Sequence, residues 1–222
     1  MAIPPDDEPQ TRGSGAALAQ RARTGQAALK RARILDAAER CFIDAGFHAA
    51  SMAHIADTAG VSAGLIYRYF DSKSAIVRAI IERHLETEGT RDIDLMNSAA
   101  DLSREMLEAF ERWQRGDDPK MNAALFLELT AASTRDAEIA RVVRRKDQII
   151  ERAVIQAVRR MAHARGVRLT SAAARGRAII LLCLVEGLAF RAVRDPKLRR
   201  STLQPVLESL VAVLVGGSLN NA

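Results

Sequence analysis

Aromatic side chains are scarce: Phe, Trp and Tyr make up 4% of the 222 residues, with one tryptophan and two tyrosines. The strands of sandwiches and barrels draw on aromatic and β-branched residues, whereas Ala, Leu and Arg, which dominate here, favour helix. Cysteine is nearly absent. Cys41 and Cys183 stand far apart in apolar runs, with no spacing that suits a metal knuckle or redox pair. Both are expected as buried thiols in a reducing cytoplasm. No apolar run nears the roughly 20 residues of a membrane span; the longest, Ala178 to Val185, is far shorter. The acidic, Pro-rich start MAIPPDDEPQTRGSG does not suit a secretory signal. These absences predict a soluble cytoplasmic protein with no membrane partner, no metal and no cofactor.

What is present is an apolar core and an excess of basic charge. Hydrophobic residues make up 48%, enough to exclude wholesale disorder. The 33 Lys and Arg exceed the 27 Asp and Glu, leaving +6, which suits a polyanionic partner without naming one. Ten Lys and Arg against six Asp and Glu fall between residues 21 and 83, so +4 of that excess sits in one segment.

Residues 1–24 read as a disordered arm, with three prolines, Gly13 and Gly15 among polar residues. From Gln26 the pattern is helical. Ile34, Leu35, Ala38, Cys41, Phe42 and Ala45 form an amphipathic stripe, and Gly46 is placed to end that helix. Short helices near 52–59 and 63–69 follow, then one over 74–88 that Asp71 or Ser72 can cap. Further helices are expected over 98–115, 119–132 with Pro119 at its start, 136–165, 170–193 and 201–215. The reading is all-α with about nine helices: a three-helix head over 25–72 and a larger body over 73–222.

The informative stretch is SMAHIADTAGVSAGLIYRYFDSK, Ser51 to Lys73. As a helix-turn-helix it places Ile55 and Ala59 inward and the small Ala56 where two helices cross. Gly60 falls at the turn, where φ is positive, and Val61 plugs the gap. Ser62 can cap the second helix, and Ile66 and Phe70 return its inner face to the core. The outer face then carries Ala63, Gly64, Tyr67 and Arg68, with Leu65 beside them. Small residues at a helix start allow close approach to base edges. The Tyr67 hydroxyl can reach a phosphate, Lys73 brings a charge to the next helix start, and Ser51 offers a hydroxyl beside free N–H groups. Arg12, Arg21 and Arg23 of the arm have the chemistry to enter a minor groove, although a solvated tail is the plainer reading.

The segments IADTAGVSAGLIYRYFDSK and ILDAAERCFIDAGF resemble the tetracycline-repressor (TetR) family of bacterial transcription regulators, over about residues 30–80. The resemblance implies a DNA-binding head of three helices, a fourth helix leading into a ligand-sensing body, and a homodimer formed by the last two helices. It implies phosphate contacts at Ser51, Tyr67 and Lys73, and base or groove contacts at Ala63, Gly64, Leu65, Arg68 and Tyr69. Ala63, Gly64 and Leu65 offer no side-chain hydrogen bonds. Direct readout would therefore rest on Arg68 and on apolar contact with thymine methyls, with DNA shape adding to it.

The segment MNAALFLELTAASTRDAEIARVVRRKDQIIERAV is similar to the ligand bodies of a branch that includes choline-sensing repressors. A pocket for an unknown small-molecule effector is expected among helices over 98–190. Candidate lining residues are Met106, Phe110, Trp113, Met121, Phe126 and Phe190, each of which also suits plain core. Glu128 and Glu186 are sharper candidates, because a carboxylate in an apolar run needs a partner. That partner is a cationic ligand, an arginine such as Arg152 or Arg177, or solvent at a helix end. The segment AIILLCLVEGLAF is apolar around most of its circumference and suits a dimer face.

The expected function is a sequence-specific regulator, a repressor released from a palindromic double-stranded operator by its effector. The alternative is a helical protein–protein adaptor derived from the same fold, in which Gly60, Tyr67 and Lys73 need not persist as they do here. An enzyme is not expected, since His48, His54, His84 and His163 lack ligand spacing and no Gly-rich loop cradles a phosphate.

Overall fold

The computed structural model describes residues 12–87, 91–116 and 122–216, and among these it contains ten helices and no strand. Helix α1 (Arg12–Ala49) is long, and Gly46 breaks it with φ 78 and ψ 158 so that the last turn leaves the axis. It begins inside the segment expected to be a loose arm. The stretch from Ala16 onwards is rich in Ala, Gln and Arg, whose helix propensity outweighs the scattered glycines; residues 1–11 lie outside the described residues.

Two short helices follow, α2 (Met52–Thr58) and α3 (Ala63–Tyr69). Each is capped by a serine: the Ser62 hydroxyl oxygen accepts the Leu65 N–H at 3.2 Å, as its sequence suggests, and that of Ser51 likewise accepts the His54 N–H at 3.0 Å. Ser72, rather than Asp71, caps α4 (Lys73–Thr87) by accepting the Ala75 N–H. The inner faces of these helices bury Ile34, Leu35, Phe42, Ile55, Ile66, Ile76 and Ile80 in one core. That core does not stop at the head. It continues through Leu125 and Leu129 into the body.

The body contains α5 (Arg91–Leu95), α6 (Ala99–Arg115), α7 (Ala123–Ser133), α8 (Ala137–Ala164), α9 (Ser171–Arg194) and α10 (Arg200–Gly216). The short α5 is the helix that the hydrophobic pattern does not announce. Asn122 starts α7, its side chain accepting the Leu125 N–H; the expected start at Pro119 falls outside the described residues. A second core joins Phe110 and Trp113 of α6 to Val158 of α8, Leu181 and Leu188 of α9, and Val211 of α10. No helix among the described residues is long and apolar enough to cross a membrane.

Helix α9 buries Ala174, Ala178, Leu181, Leu188 and Ala192 on one side. Its other side leaves Ile179, Ile180, Phe190 and Val193 exposed. Cys183 lies on that outer side, two residues beyond Leu181 and hence about half-way round the helix. It is therefore exposed rather than buried, while Cys41 is buried as expected.

Candidate nucleic-acid interface and effector cavity

The turn between α2 and α3 is set by backbone geometry. Gly60 has φ 62, and a Cβ there would lie 3.2 Å from Arg33 Nη2. That guanidinium donates to the Ala59 carbonyl at 2.8 Å, so α1 closes the C-terminus of α2. The Val61 N–H reaches back to the Ala56 carbonyl at 2.9 Å, and Ala56 is buried at the crossing. With Ile66 and Phe70 buried beneath it, α3 turns Ser62, Ala63, Gly64, Tyr67 and Arg68 outward. Tyr67 is 55% exposed, a high value for an aromatic ring in so small a helix. Leu65 is half-buried at the edge of this face, and Tyr69 is half-buried because its ring packs on the core.

Ser51 is exposed at the start of α2, and its capping oxygen leaves the hydroxyl proton free to donate. Lys73 is more committed than expected. Its ammonium donates to the Phe47 carbonyl at 2.7 Å and to that of His48 at 3.1 Å, and it lies 4.7 Å from the centre of the Phe47 ring. Burial pulls its pKa below the ordinary lysine value. Lys73 thus holds the end of α1, with one N–H left for an anion.

Head and body meet at a carboxylate. Glu128 of α7 accepts the Phe47 N–H at 2.8 Å. The side chain approaches because Gly46 has no Cβ: one there would sit 3.3 Å from Glu128 Oε2. Glu128 is therefore a structural joint and does not line the apolar cavity described below. The Ser74 hydroxyl donates to Asp136 at the start of α8, adding a second tie between α4 and the body.

A cavity of about 220 Å³ lies between α4, α7, α8 and α9, closed on one side by α6. Trp113, Phe126 and Glu186 line it, as the sequence suggests. Met106 and Phe110 do not reach it, because they are buried in the second core. Phe190 points the other way, 47% exposed with the Arg194 guanidinium over its ring. Met121 lies outside the described residues. His84, Lys146 and Asp147 also line the cavity. Their sequence neighbourhoods gave little sign of this, since Lys146 and Asp147 sit in the charged run RVVRRKDQII. His84 Nε2 lies 2.8 Å from Glu39 Oε1, and Glu39, itself buried, also pairs with Arg83 at 2.9 Å, so the cavity wall is wired to α1.

A second hollow of about 460 Å³ between α4 and α8 is walled by Arg78, Arg141 and Arg145 facing Glu82 and Glu138. Its mixed, exposed charges are well solvated and offer little desolvation to a ligand. The apolar cavity is the better binding site. Among the described residues no three His, Cys, Asp or Glu side chains gather to hold a metal ion.

Comparison with known proteins agrees with this architecture. Residues 34–80 match the family described as bacterial regulatory proteins, tetR family, and residues 99–216 match the BetI-type transcriptional repressor C-terminal family. The transcriptional activator FasR of Mycolicibacterium smegmatis is 44% identical over 57 residues, which is 26% of each chain. The transcriptional regulator UidR of Escherichia coli is 34% identical over 139 residues, 58% of this chain and 64% of that one. The matches thus span about a quarter and just under two thirds of these relatives. Two solved structures share the fold: Salmonella enterica GusR, with TM-score 0.65 and 24% identity over 84% of this chain and 95% of that one; and FadR of Bacillus subtilis in complex with stearoyl-CoA, with TM-score 0.63 and 21% identity over 83% and 97%. Head, body and architecture point the same way, and the chain belongs to the tetR family of bacterial regulatory proteins.

Proposed function

We propose that the chain is a homodimeric repressor that grips a palindromic operator with α3 and lets go when a small molecule fills the α6–α9 cavity. Residues 25–72 act as the DNA-binding head and 73–222 as the sensing and dimerising body. The observation that carries this reading is the outward face of α3, where Ala63, Gly64, Tyr67 and Arg68 stand uncovered beside a capped helix start. Ala63 and Gly64 let the backbone approach base edges, and Arg68 offers a bidentate donor pair to a guanine. Leu65 and Tyr69 give apolar contact at the edge of the groove. Tyr67, Ser51 and the remaining N–H of Lys73 anchor the phosphates on either side.

A palindrome needs two heads about one helical turn apart, or a multiple of it. The uncovered apolar sides of α9 and α10 supply the two-fold contact. Release follows from α7. One face of that helix lines the cavity with Leu125, Phe126 and Leu129, and Glu128, the residue just before Leu129, holds the head at Phe47. A ligand that binds better to one tilt of α7 shifts the population of head spacings by its difference in affinity for the two, and by no more.

Selection of bound DNA from a random duplex library by the full-length protein, at two salt concentrations, tests the reading. An enriched inverted repeat whose affinity falls steeply with salt is expected. Absence of any enriched sequence from a folded dimer would overturn it.

A further inference from the structure

Helix α1 outruns the head it belongs to. It starts from the body at Phe47, whose N–H is held by Glu128, and passes the turn between α2 and α3, where Arg33 donates to the Ala59 carbonyl. At Arg31 it passes the end of α3, with the guanidinium 5.4 Å from the centre of the Phe70 ring. Beyond that point, towards the N-terminus, Thr24 to Lys30 are all exposed, Leu29 at 68%, so the helix stands clear of the core. From Arg31 back to Arg12, about 29 Å of helix at 1.5 Å per residue continues past α3 on the side away from the body.

One face of this helix changes character where the head ends. Inside the head it carries Cys41, Ala37 and Ile34, all buried, and meets α2 through the Cys41 thiol, 3.3 Å from the Thr58 hydroxyl. Steps of about 4, 7 and 11 residues return to the same face of an α-helix. Such steps back from Ile34 lead along this face to Lys30, Arg23 and Arg12, with the uncharged Ala19 and Gln26 between them. Apolar residues thus give way to cations at the point where α2 and α3 no longer cover the helix. From Pro9 to Leu35 there are six Lys and Arg and no Asp or Glu. Arg31 and Arg33 are engaged with Phe70 and Ala59, whereas Lys30 has no partner among the described residues.

We propose that the N-terminal extension of α1 is a second DNA-contact element, with Lys30, Arg23 and Arg12 laid along the phosphates of the duplex that α3 reads; this rests on the reading of α3 as the DNA-binding helix. The complementarity is of charge and of place: an acid-free basic face continues the α2 side of the head into the space a duplex under α3 would occupy. A helix about 10–12 Å across does not enter a minor groove about 6 Å wide, so the helical form rules out the minor-groove entry open to these arginines in a loose arm. Along the face the cations recur at about 10 and 16 Å, far wider than the roughly 3.4 Å between successive base pairs. They therefore meet backbone charge and read no bases. The extension adds affinity alike for every sequence, and that share falls with salt.

Affinity of the full-length protein is measured from about 50 to 200 mM salt, on the enriched inverted repeat and on a random-sequence duplex of equal length. Arg23→Gln combined with Lys30→Gln removes two charges, keeps good helix formers and spares every buried residue. On both duplexes it should lower the slope of log affinity against log salt by about 1.8, with affinity at about 150 mM down tenfold or more. Base preference within the half-site should stay as it was. Arg21 is the control, since it lies two residues from Arg23 and so about half-way round the helix. Arg21→Gln should leave the slope within about 0.3 of the wild-type value. A double variant with the wild-type slope, or an Arg21→Gln protein that loses as much slope per charge, would overturn the contact. So would an unchanged slope accompanied by lost cosedimentation with phosphatidylserine vesicles, which assigns the face to a membrane surface instead. Intact operator binding with an unchanged slope rejects the extension alone, whereas failure to bind either duplex rejects the reading of the head with it.

Discussion

A missing Cβ sets the angle of the exposed helix. Gly60 holds φ 62, which costs an L-residue about 1–2 kcal/mol. Gly60→Ala should therefore lower the urea midpoint by that order with an unchanged slope, because only the native turn is affected. Gly60→Asn should cost less, since asparagine tolerates the left-handed region. Two neighbouring side chains on α3 should separate by the kind of loss they produce. Arg68→Ala should flatten preference at one base pair in each half-site, worth about 1–3 kcal/mol, and leave other positions alone. Tyr67→Phe removes a neutral donor, so it should weaken every sequence alike without altering the salt dependence. Binding curves on an operator and its single-base variants distinguish the two patterns. Identical losses on all sequences for Arg68→Ala would remove it from the readout.

At the scale of elements, two carboxylates show how far local sequence reaches. Glu128 sits in LFLELT and Glu186 in LCLVEGL, both acids inside apolar runs. One meets a backbone N–H 81 positions away, and the other faces a cavity. Nothing within a few residues of either tells them apart, because the partner is chosen by how α7 and α9 pack. The head is legible for the opposite reason. Its glycine, its serine caps and its small crossing residue act within one or two turns, so Ser51 to Phe70 carries its own geometry. Lys73 lies between these cases: the residue is where the pattern puts it, yet two of its donors go to Phe47 and His48, a packing fact no pattern contains. The joint can be probed by conservative change. Glu128→Gln keeps an acceptor for the Phe47 N–H, whereas Glu128→Ala leaves that donor unpaired at a cost of about 1–3 kcal/mol. The alanine variant should also lose much of the effector response while still binding DNA, and the glutamine variant should retain it. Asp136 adds a pH dependence at the second tie. The Ser74 hydroxyl, and after it the Ile139 N–H, hold its carboxyl below the ordinary range. The stability it contributes is present at neutral pH and is lost as pH falls through its native value. Asp136 is only half-buried and close to solvent, so this share is small.

At the scale of the whole molecule, the outer sides of α9 and α10 call for a cover. Their inner sides are buried, yet Ile180, Phe190, Val206, Leu210 and Val213 remain exposed on the outer sides, Val206 at 69%. An apolar stripe along two successive helices is more than scattered surface residues need explain. In a two-fold interface each residue meets a copy of the same surface, so one substitution acts twice. Ile180→Glu or Val206→Glu places a charge where the single chain already meets water, which spares the fold of the protomer. In the proposed dimer it buries two unpaired charges of like sign. Sedimentation at micromolar concentration should then show a monomer with unchanged helix content. Operator affinity should fall by about a hundredfold or more, since each head would bind its half-site without the local concentration the partner supplies. Half-site affinity, measured on a single arm of the operator, should stay the same. A Val206→Glu protein that still sediments as a dimer and binds the full operator normally would place the interface elsewhere and leave the stripe on α9 and α10 without a partner.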